Sequence, residues 1–586
     1  MNRLLIIGLI LSCVSFSYGQ ADTVDAGSSV VVTGTGTRTI VTPTKISELP
    51  DVVENDQPKP LVKYTVVTKK IDVSFEPKPI APANLKVAEP LEKLYAGYLK
   101  AGMGNYLMPK VDFYYGSTRS RKNNWGIRLN HFSAGQGPDD VGFSGFSENE
   151  AQFNYKHFLA HHTLKFDVGY KRDVNYFYGF DLTDSLFANF KDAKDKIKAI
   201  NNLIQFSAEL ESQYKDSSMV NHVVGLDYYH LKGNFSNREN QFVLDGTVQK
   251  YFGKELGKLD FALDYNDYSY QKFEDLDTNQ LVSSLSTANF NTLQNNVLFK
   301  LNPSINSLRG NFKARIGASL QVDSRLGTVH VFPDVEVKYS MFNDMFIPYI
   351  GATGNVQRNS YRSFFEENPF VSSGFELRNT VQRYEVYGGI RGSFSSTMSF
   401  NLTMSQGKYS NMPLFFSDTT ISSQNKFGVL YDDASIVKVG GQLSYRKLEK
   451  LKVYVRGDYT SYKMTNEAFA WHLPSVKVSV GGVYDLADKL IVKADLFFIG
   501  GRKAKSLVPV TGVEAIEQIE ESVVTGTYYP VDMKAIFDAN LGVEYRLTDK
   551  VSAFINVNNL TTKKYQEWLR FPTQSINVMF GGTVRF

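Results

Sequence analysis

Apolar and polar residues alternate along most of this chain with a period of two. Between residues 259 and 266, apolar side chains fill the odd positions, whereas Asp260, Asp264 and Asn266 fill even positions. The same division recurs in four further segments, 334–339, 451–456, 476–480 and 537–545. A two-residue period places neighbouring side chains on opposite faces of a β-strand. We therefore expect an all-β fold from about residue 93 to Phe586.

Two environments accept such strands: an antiparallel sheet with one face in water, or a transmembrane barrel with lipid outside and a wet lumen. The charged side chains exclude a dry sandwich core. Turn residues divide the region into about 22 strand candidates, a number typical of large outer-membrane transporters. Closure would also remove exposed sheet edges. The pattern therefore favours a transmembrane antiparallel β-barrel of about 22 strands, in contact with outer-membrane lipid.

The alternation also predicts which side chains face the lumen of this barrel. Leu263 and its apolar neighbours would face lipid, and the charged residues between them would face water. The charged residues predicted to face the lumen are Asp260, Asp264, Glu336, Lys338, Lys452, Arg456, Asp538 and Glu544.

The last eleven residues have the pattern of a terminal barrel strand. Phe580, Val584 and Phe586 share one face, while Asn577 and Arg585 lie on the other. An aromatic last residue on an amphipathic strand resembles the recognition signal of outer-membrane barrels. The resemblance implies that the barrel-assembly machinery is a partner.

The N-terminus predicts export. Residues 1–19 form a signal peptide, with Arg3 before an apolar core and a small-x-small cleavage site ending at Gly19. The alternative is a lipoprotein signal in which Cys13 is lipidated. Cys13 is the single cysteine of the chain, so cleavage after Gly19 leaves no thiol for disulfides or metal ligation.

Residues 20–92 differ in composition from the barrel region. They hold eight of the nineteen prolines, which fix φ and remove backbone donors. This composition predicts a short, extended periplasmic tail. Two β-prone pieces, 64–67 and 71–75, could pair with a partner's sheet edge or with each other.

Composition and motifs limit the classes of function that we expect for this chain. The 64 basic and 60 acidic residues nearly balance, and no basic block interleaves with aromatics, so nucleic-acid binding is not expected. His157, His161 and His162 lie close together without cysteine or carboxylate in ligand spacing, and an ordinary polar turn explains them better than a metal site. No local catalytic motif is present, although barrel enzymes build sites from distant residues. We expect no enzyme, cofactor or metal site.

The C-terminal part resembles a known barrel family. The run 545–550, the strand-like 551–557 and the turn at Asn558–Leu560, with Tyr565 and Phe586, resemble the end of a TonB-dependent receptor. Residues 496–502 also look like a barrel strand of that family. The resemblance implies a transport protein that takes up or binds a solute through a large barrel.

A short tail segment extends the resemblance. Ser29, Val30, Val31, Val32 and Thr33 resemble a TonB box, which implies TonB as a periplasmic partner. An extended valine-rich segment is suited to strand addition on a partner's sheet edge. A flexible terminus without that role is the alternative.

The chain departs from the family pattern where a plug domain is expected. Only the proline-rich stretch between Thr33 and Lys93 precedes the barrel, and no recognisable plug fits there. We therefore expect a plug-less barrel or a plug supplied by another chain. A second function follows from this departure: a non-transporting barrel subunit or scaffold of an outer-membrane complex, which docks partners through the tail.

Overall fold

Within the residues that it describes, the computed structural model has one closed sheet, two small ribbons and one helix. The residues that it describes are 94–138, 141–180, 194–214, 216, 218–271, 291–417, 425–448, 450–506 and 529–586. The predicted signal peptide 1–19, the tail 20–92 and the TonB-box-like segment lie outside the described residues.

Strands dominate the described residues. The strands are β1 (Gly97–Gly104), β2 (Met108–Gly116), β3 (Asn123–Ala134), β4 (Phe146–Phe158), β5 (His162–Tyr176), β6 (Lys198–Ser212), β7 (Asn221–Gly233), β8 (Arg238–Phe252), β9 (Glu255–Gln271), β10 (Asn291–Arg309), β11 (Phe312–Asp323), β12 (Thr328–Tyr339), β13 (Ile347–Gln357), β14 (Thr380–Ser395), β15 (Met398–Ser417), β16 (Phe427–Lys447), β17 (Leu451–Met464), β18 (Val476–Leu486), β19 (Leu490–Gly500), β20 (Arg502–Ser506), β21 (Tyr529–Met533), β22 (Ile536–Arg546), β23 (Val551–Asn558), β24 (Gln566–Trp568), β25 (Phe571–Pro572) and β26 (Asn577–Arg585). The helix α1 is Tyr361–Glu367.

Twenty-two of these strands form one closed antiparallel barrel, which confirms the expected fold class. Each wall strand pairs with the next wall strand along the chain, and β1 closes the sheet against β26, with Tyr98 opposite Arg585 and Gly104 opposite Met579. Gly581 lies at this seam, where a Cβ atom would stand only 2.1 Å from the Ala101 carbonyl oxygen. The strands β20, β21, β24 and β25 form two ribbons outside the wall sheet.

The outer face of the wall is apolar. Leu263, at the middle of β9, is 39% exposed, whereas its neighbour Asp264 is 9% exposed. Val331, Ile350 and Phe580 are among the most exposed apolar side chains of the wall. A closed wall with an apolar exterior satisfies its backbone hydrogen bonds internally and presents lipid-compatible side chains, as an outer-membrane barrel requires. No helix among the described residues is long and apolar enough to span a membrane.

The two rims of the barrel differ in the length of their connections. Turns such as 253–254, 310–311 and 396–397 join strands at one rim, which also holds the start of β1 and the terminal Phe586. Connections such as 358–379 and 501–535 join strands at the other rim. In outer-membrane barrels the short turns are periplasmic and the long loops extracellular.

A cluster of phenylalanines marks the short-turn rim on the outer face. Phe346 contacts Phe394 and Phe400, with ring centroids 6.0 and 5.8 Å away, and Phe342 packs on Phe346. Aromatic girdles of this kind lie at the membrane interface of barrels. The cluster therefore marks one boundary of the apolar band.

Candidate functional site

Segments from the long-loop rim fold into the barrel and pack on one another. We call this assembly the loop cap. It consists of residues 177–180, 358–379, 465–475, 502–506, 529–533 and 566–572. The cap joins parts of the chain that are far apart in sequence.

The aromatic core of the cap spans the lumen. One continuous buried cluster contains Leu231 of β7, Tyr268 of β9, Phe415 of β15 and Phe427 of β16 together with cap residues. In a closed wall of 22 strands, β7 and β16 stand on nearly opposite sides. The cluster therefore bridges the lumen at the height of the long-loop rim.

Aromatic stacking holds the cap segments to one another. The Phe370 and Phe571 rings stack at 3.8 Å, which joins the β13–β14 loop to the β24–β25 ribbon. Trp568 packs edge-on against Phe415 at 5.1 Å, and so contacts the wall. Ring pairs at these distances add to the stabilisation from burial of large apolar surfaces. The interior of the cap is therefore a packed core.

The helix α1 begins the largest cap segment. Ser360 is its N-cap and accepts a hydrogen bond from the Ser363 backbone N–H, and the Ser363 side chain completes a capping box. Tyr361, Phe364 and Phe365 point into the cap core, which explains why so short a helix persists.

A wall carboxylate satisfies the first backbone donors of this helix. Glu239 of β8 is fully buried and accepts from the backbone N–H groups of Tyr361 and Arg362, each at 2.9 Å. The Asn266 amide and the Tyr229 hydroxyl also donate to Glu239, each at 3.1 Å. Orphan N–H groups at a helix start favour a negative acceptor, so Glu239 fixes α1 to the wall.

Three further wall side chains bind the loop 358–379. Asp264 of β9 accepts from the Arg358 Nε at 3.0 Å, and Asp323 of β11 accepts from the Asn379 amide at 2.7 Å. Gln294 of β10 donates to the Phe375 carbonyl at 2.9 Å and accepts from the Leu377 N–H at 2.8 Å. With Glu239, they form a row on four successive strands, β8 to β11.

Arg502 joins two cap segments to the end of β21. Its guanidinium donates to the carbonyl oxygens of Glu567 at 3.0 Å, and of Lys534 and Gln566, both at 3.1 Å. A planar guanidinium suits several acceptors held in fixed directions. Arg502 therefore links the β20–β21 hairpin to the β24–β25 ribbon.

His472 lies at the centre of the cap. The ring is 6% exposed, and Phe427 and Trp568 pack against it at 5.3 and 5.1 Å. Burial lowers the pKa of His472 from 6.5 to about 3, so the imidazole is neutral at neutral pH. Nδ1 then donates to the Phe415 carbonyl at 3.3 Å, and Nε2 has no hydrogen-bond partner within the described part of the chain.

The eight charged residues predicted to face the lumen lie on four wall strands. Glu336 and Lys338 form an ion pair with each other at 2.5 Å. Further contacts of these residues include those of Asp260 with Thr247 and Lys258, Asp264 with Gln241 and Arg358, Arg456 with Asp458, Asp538 with Thr561, and Glu336 with Tyr387. Lys452 lies opposite Arg446 and Glu544 opposite Phe554 in the sheet register.

The predicted assembly signal lies on the outer face of β26. Phe580 is 64% exposed and Phe586 is 50% exposed, with Val584 on the same face. The Phe586 ring stacks on Tyr115 at 6.4 Å, beside the seam of the barrel. These three residues therefore lie on the apolar surface next to the closing strand.

The structure gives the three clustered histidines no shared ligand site. His157 is the last but one residue of β4, His162 begins β5, and His161 lies in the turn between them. The His161 and His162 rings both pack on Tyr214 at 5.6 Å. Among the residues with described positions, no group of three His, Cys, Asp or Glu is arranged to hold a metal ion.

The cap was missed by the sequence reasoning. Its residues lie between strands, where the two-residue period stops and supplies no guide to contacts. One signal was present: Phe364–Phe365, Phe370, Trp568 and Phe571 put large aromatics into segments without the two-residue period. Aromatics away from the lipid face need another apolar partner, which the cap core supplies.

Comparisons with solved structures show the fold. The siderophore receptor PirA from Acinetobacter baumannii is 11% identical with a TM-score of 0.61, over 85% of this chain and 81% of that one. The FrpB iron transporter from Neisseria meningitidis is 10% identical with a TM-score of 0.61, over 85% and 82%. The ferripyoverdine receptor of the Pseudomonas aeruginosa outer membrane is 13% identical with a TM-score of 0.61, over 85% and 72%.

The resemblance to the barrel of TonB-dependent receptors is confirmed at the level of the fold. These neighbours are receptors and transporters. No family model matches the chain, and no curated protein matches it.

Proposed function

We propose that this chain is an outer-membrane transport protein that takes up a small metal-bearing solute, such as an iron–siderophore chelate, through its barrel. One observation carries the proposal: a closed wall of 22 strands, apolar outside, shares its fold with siderophore receptors and an iron transporter. Function resides in sites and not in folds, so the substrate class rests on this analogy.

The proposed path runs along the inner face of the wall. Eight charged residues would line this path and offer a wet, polar surface to a solute. They are Asp260, Asp264, Glu336, Lys338, Lys452, Arg456, Asp538 and Glu544. The loop cap lies across this path at the long-loop rim, which would be the extracellular side. The chain would act by binding and passage, without enzymatic chemistry.

The proposal includes periplasmic partners. Ser29 to Thr33 would bind TonB by strand addition, and a plug would come either from another chain or not at all. Phe580, Val584 and Phe586 would be read by the barrel-assembly machinery. The signal peptide 1–19 would be removed on export, and the tail 20–92 would lie in the periplasm.

Uptake in whole cells tests the transport proposal. Cells that express the chain should accumulate radiolabelled iron chelates faster than cells that lack it, across a panel of hydroxamate and catecholate chelates. Deletion of residues 28–33 should abolish the gain without changing the amount of barrel in the outer membrane. Equal accumulation with and without the chain, for every chelate, contradicts the substrate class. Survival of TonB cross-linking after the deletion contradicts the TonB assignment.

The cap favours a second candidate, a non-transporting scaffold in an envelope complex. A packed core that bridges the lumen is what an occluded barrel requires. Affinity purification from membranes distinguishes the two functions. Stable co-purifying envelope proteins in the absence of any uptake would support the scaffold, whereas uptake by the isolated barrel in proteoliposomes would support transport.

A further inference from the structure

The outer face of strands β5 to β8 changes from apolar to polar toward the long-loop rim. Val168, Tyr170 and Ile204 are among the exposed apolar side chains of this face. On β5, the next residue of the same face after Tyr170 is Arg172. Positive charge therefore begins directly beside a surface that contacts lipid.

Two tyrosines mark the boundary between the apolar and the polar layer. The Tyr170 hydroxyl donates to Asn202 Oδ1 at 3.0 Å, and the Tyr228 hydroxyl donates to Asn240 Oδ1 at 3.2 Å. Rings on the lipid-facing surface, with hydroxyls in a polar layer, are typical of the aromatic girdle at a membrane interface. Residues of this face beyond the two hydroxyls therefore lie at the level of the lipid headgroups.

Three cations lie in one register row of this polar layer. Arg172 of β5 lies opposite Asn202 of β6, and Asn202 lies opposite Lys232 of β7. Lys232 in turn lies opposite Arg238 of β8. Each cation is an even number of residues from an exposed apolar side chain of its own strand, so all three share the outer face. We call Arg172, Lys232 and Arg238 the basic patch.

The basic patch lacks matching negative charge. Lys232 and Arg238 are both exposed and directly opposite each other, and like charges in that arrangement repel. Within the described part of the chain, no residue of the patch forms an ion pair. Asp267 of β9 shares this face and accepts from the Asn240 amide at 3.3 Å. An anion from outside the chain would remove the repulsion.

The side chains of the row suit phosphate groups. Arginine presents N–H donors in a fork that binds two phosphate oxygens, and lysine adds a mobile ammonium. Asn202 lies between two of the cations, and its Oδ1 accepts from Tyr170, which leaves its NH₂ group to donate to an anion. Adjacent strands are about 4.8 Å apart, so the row spans roughly 14 Å, which is wider than one phosphate group.

We propose that Arg172, Lys232 and Arg238 bind the phosphate groups of a diphosphorylated lipid of the outer leaflet. Its acyl chains lie on the apolar face of β5 to β8, and this surface distinguishes a lipid from a soluble anion, because only a lipid fills both layers. The contact goes beyond transport, since it requires only that the barrel lies in an outer membrane. Bound phosphate removes the repulsion between Lys232 and Arg238 and so stabilises this part of the wall.

Native mass spectrometry of the full-length barrel in detergent measures the binding of diphosphoryl lipid A. Wild type should bind this lipid more tightly than its dephosphorylated form. Each basic residue near an anionic headgroup strengthens binding by about fivefold, so the double variant Lys232→Gln, Arg238→Gln should bind about 25-fold more weakly, and Arg172→Gln about fivefold more weakly. Lys408→Gln is the matched control and should match wild type, because Lys408 is an exposed cation on the outer face of β15, opposite Ser435.

Heat resistance of the folded barrel separates lipid binding from a structural role. Without lipid, the double variant should resist heat at least as well as wild type, because the repulsion between positions 232 and 238 is gone. With diphosphoryl lipid A, wild type should gain heat resistance and the double variant should not. Heat-modifiable migration on gels confirms that each barrel is closed. If the double variant does not fold, Arg172→Gln decides.

Three results overturn the proposal. The first is equal affinity of wild type and the folded patch variants for diphosphoryl lipid A. The second is equal affinity of wild type for the phosphorylated and the dephosphorylated lipid. The third is protection of wild type by inorganic phosphate alone that equals protection by the lipid, because the patch would then bind a soluble anion.

Discussion

Acid should loosen the loop cap through His472. The ring is buried among Phe427 and Trp568, and the charged group that faces it is the Arg502 guanidinium, which disfavours a second positive charge. Burial lowers the pKa of His472 to about 3 in the closed cap, from 6.5 for a hydrated imidazole. His472 therefore stays neutral in the closed cap until the pH approaches 3, whereas in an opened cap it is protonated below about pH 6.5.

The sign and size of the effect follow from these two values. The folded pKa is the lower one, so the stabilisation is complete above pH 6.5 and is lost as the pH falls from 6.5 toward 3. Each pH unit in that window costs about 1.4 kcal/mol. At pH 5 the closed cap should be weaker by about 2 kcal/mol, which is roughly a thirtyfold rise in the opened fraction.

Hydrogen exchange of amides 466–475 measures this opening. In wild type, exchange corrected for the intrinsic pH dependence should rise roughly thirtyfold from pH 7.5 to pH 5, as calculated above. His472→Gln keeps a donor for the Phe415 carbonyl but cannot titrate, so its corrected exchange should stay flat. His131→Gln, on the outer wall, is the control and should follow wild type. An acid response in His472→Gln equal to that of wild type would refute the reasoning.

Three further predictions concern the wall and the cap. Leu263→Arg places a charge at the middle of β9 on the lipid face and should cost about 2 to 4 kcal/mol, measured as lost yield and heat resistance of the folded barrel; wild-type values would contradict the assigned face. Phe586→Ser should lower the amount of heat-modifiable barrel in the outer membrane, since it removes the aromatic end of β26, and an unchanged amount would remove the assembly role. Arg502→Lys replaces a fork that binds three carbonyls with a single ammonium, and it should speed proteolysis within 529–572; equal cleavage rates would show that the other cap contacts suffice.

The wall was predictable because one rule governs nearly every residue in it. Lipid outside and water inside impose the two-residue period, and the same period is read directly from segments such as 259–266 and 537–545. The strand number follows from turn residues between those segments. The rule stops in the long strands β15 and β16, where Leu414 and Ile436 are buried in one apolar cluster with Trp471 of the cap.

The cap obeys no such rule. Glu239 and Asp245 lie on the same face of β8 by the two-residue period, yet of these two only Glu239 binds the start of α1. Its role depends on the path of residues 358–379, more than a hundred positions away in sequence. The hydrogen bonds from Arg502 to three backbone carbonyls are equally unpredictable from sequence, because any residue can supply a backbone carbonyl. Sequence periodicity carries no record of contacts of this kind.

The two parts of the structure also differ in the strength with which they are held. Wall strands share backbone ladders with neighbours on both sides, and opening any one of them would expose unpaired groups to lipid. Cap segments meet the wall through side chains such as Glu239 and Asp323 and through aromatic faces, which can part without breaking the barrel. Free energies of local opening are therefore expected to be lowest in the cap. Because the wall is rigid and the cap can separate from it, the lumen can open or close while the barrel stays intact in the membrane. Uniform exchange protection of the cap and wall amides would contradict this division.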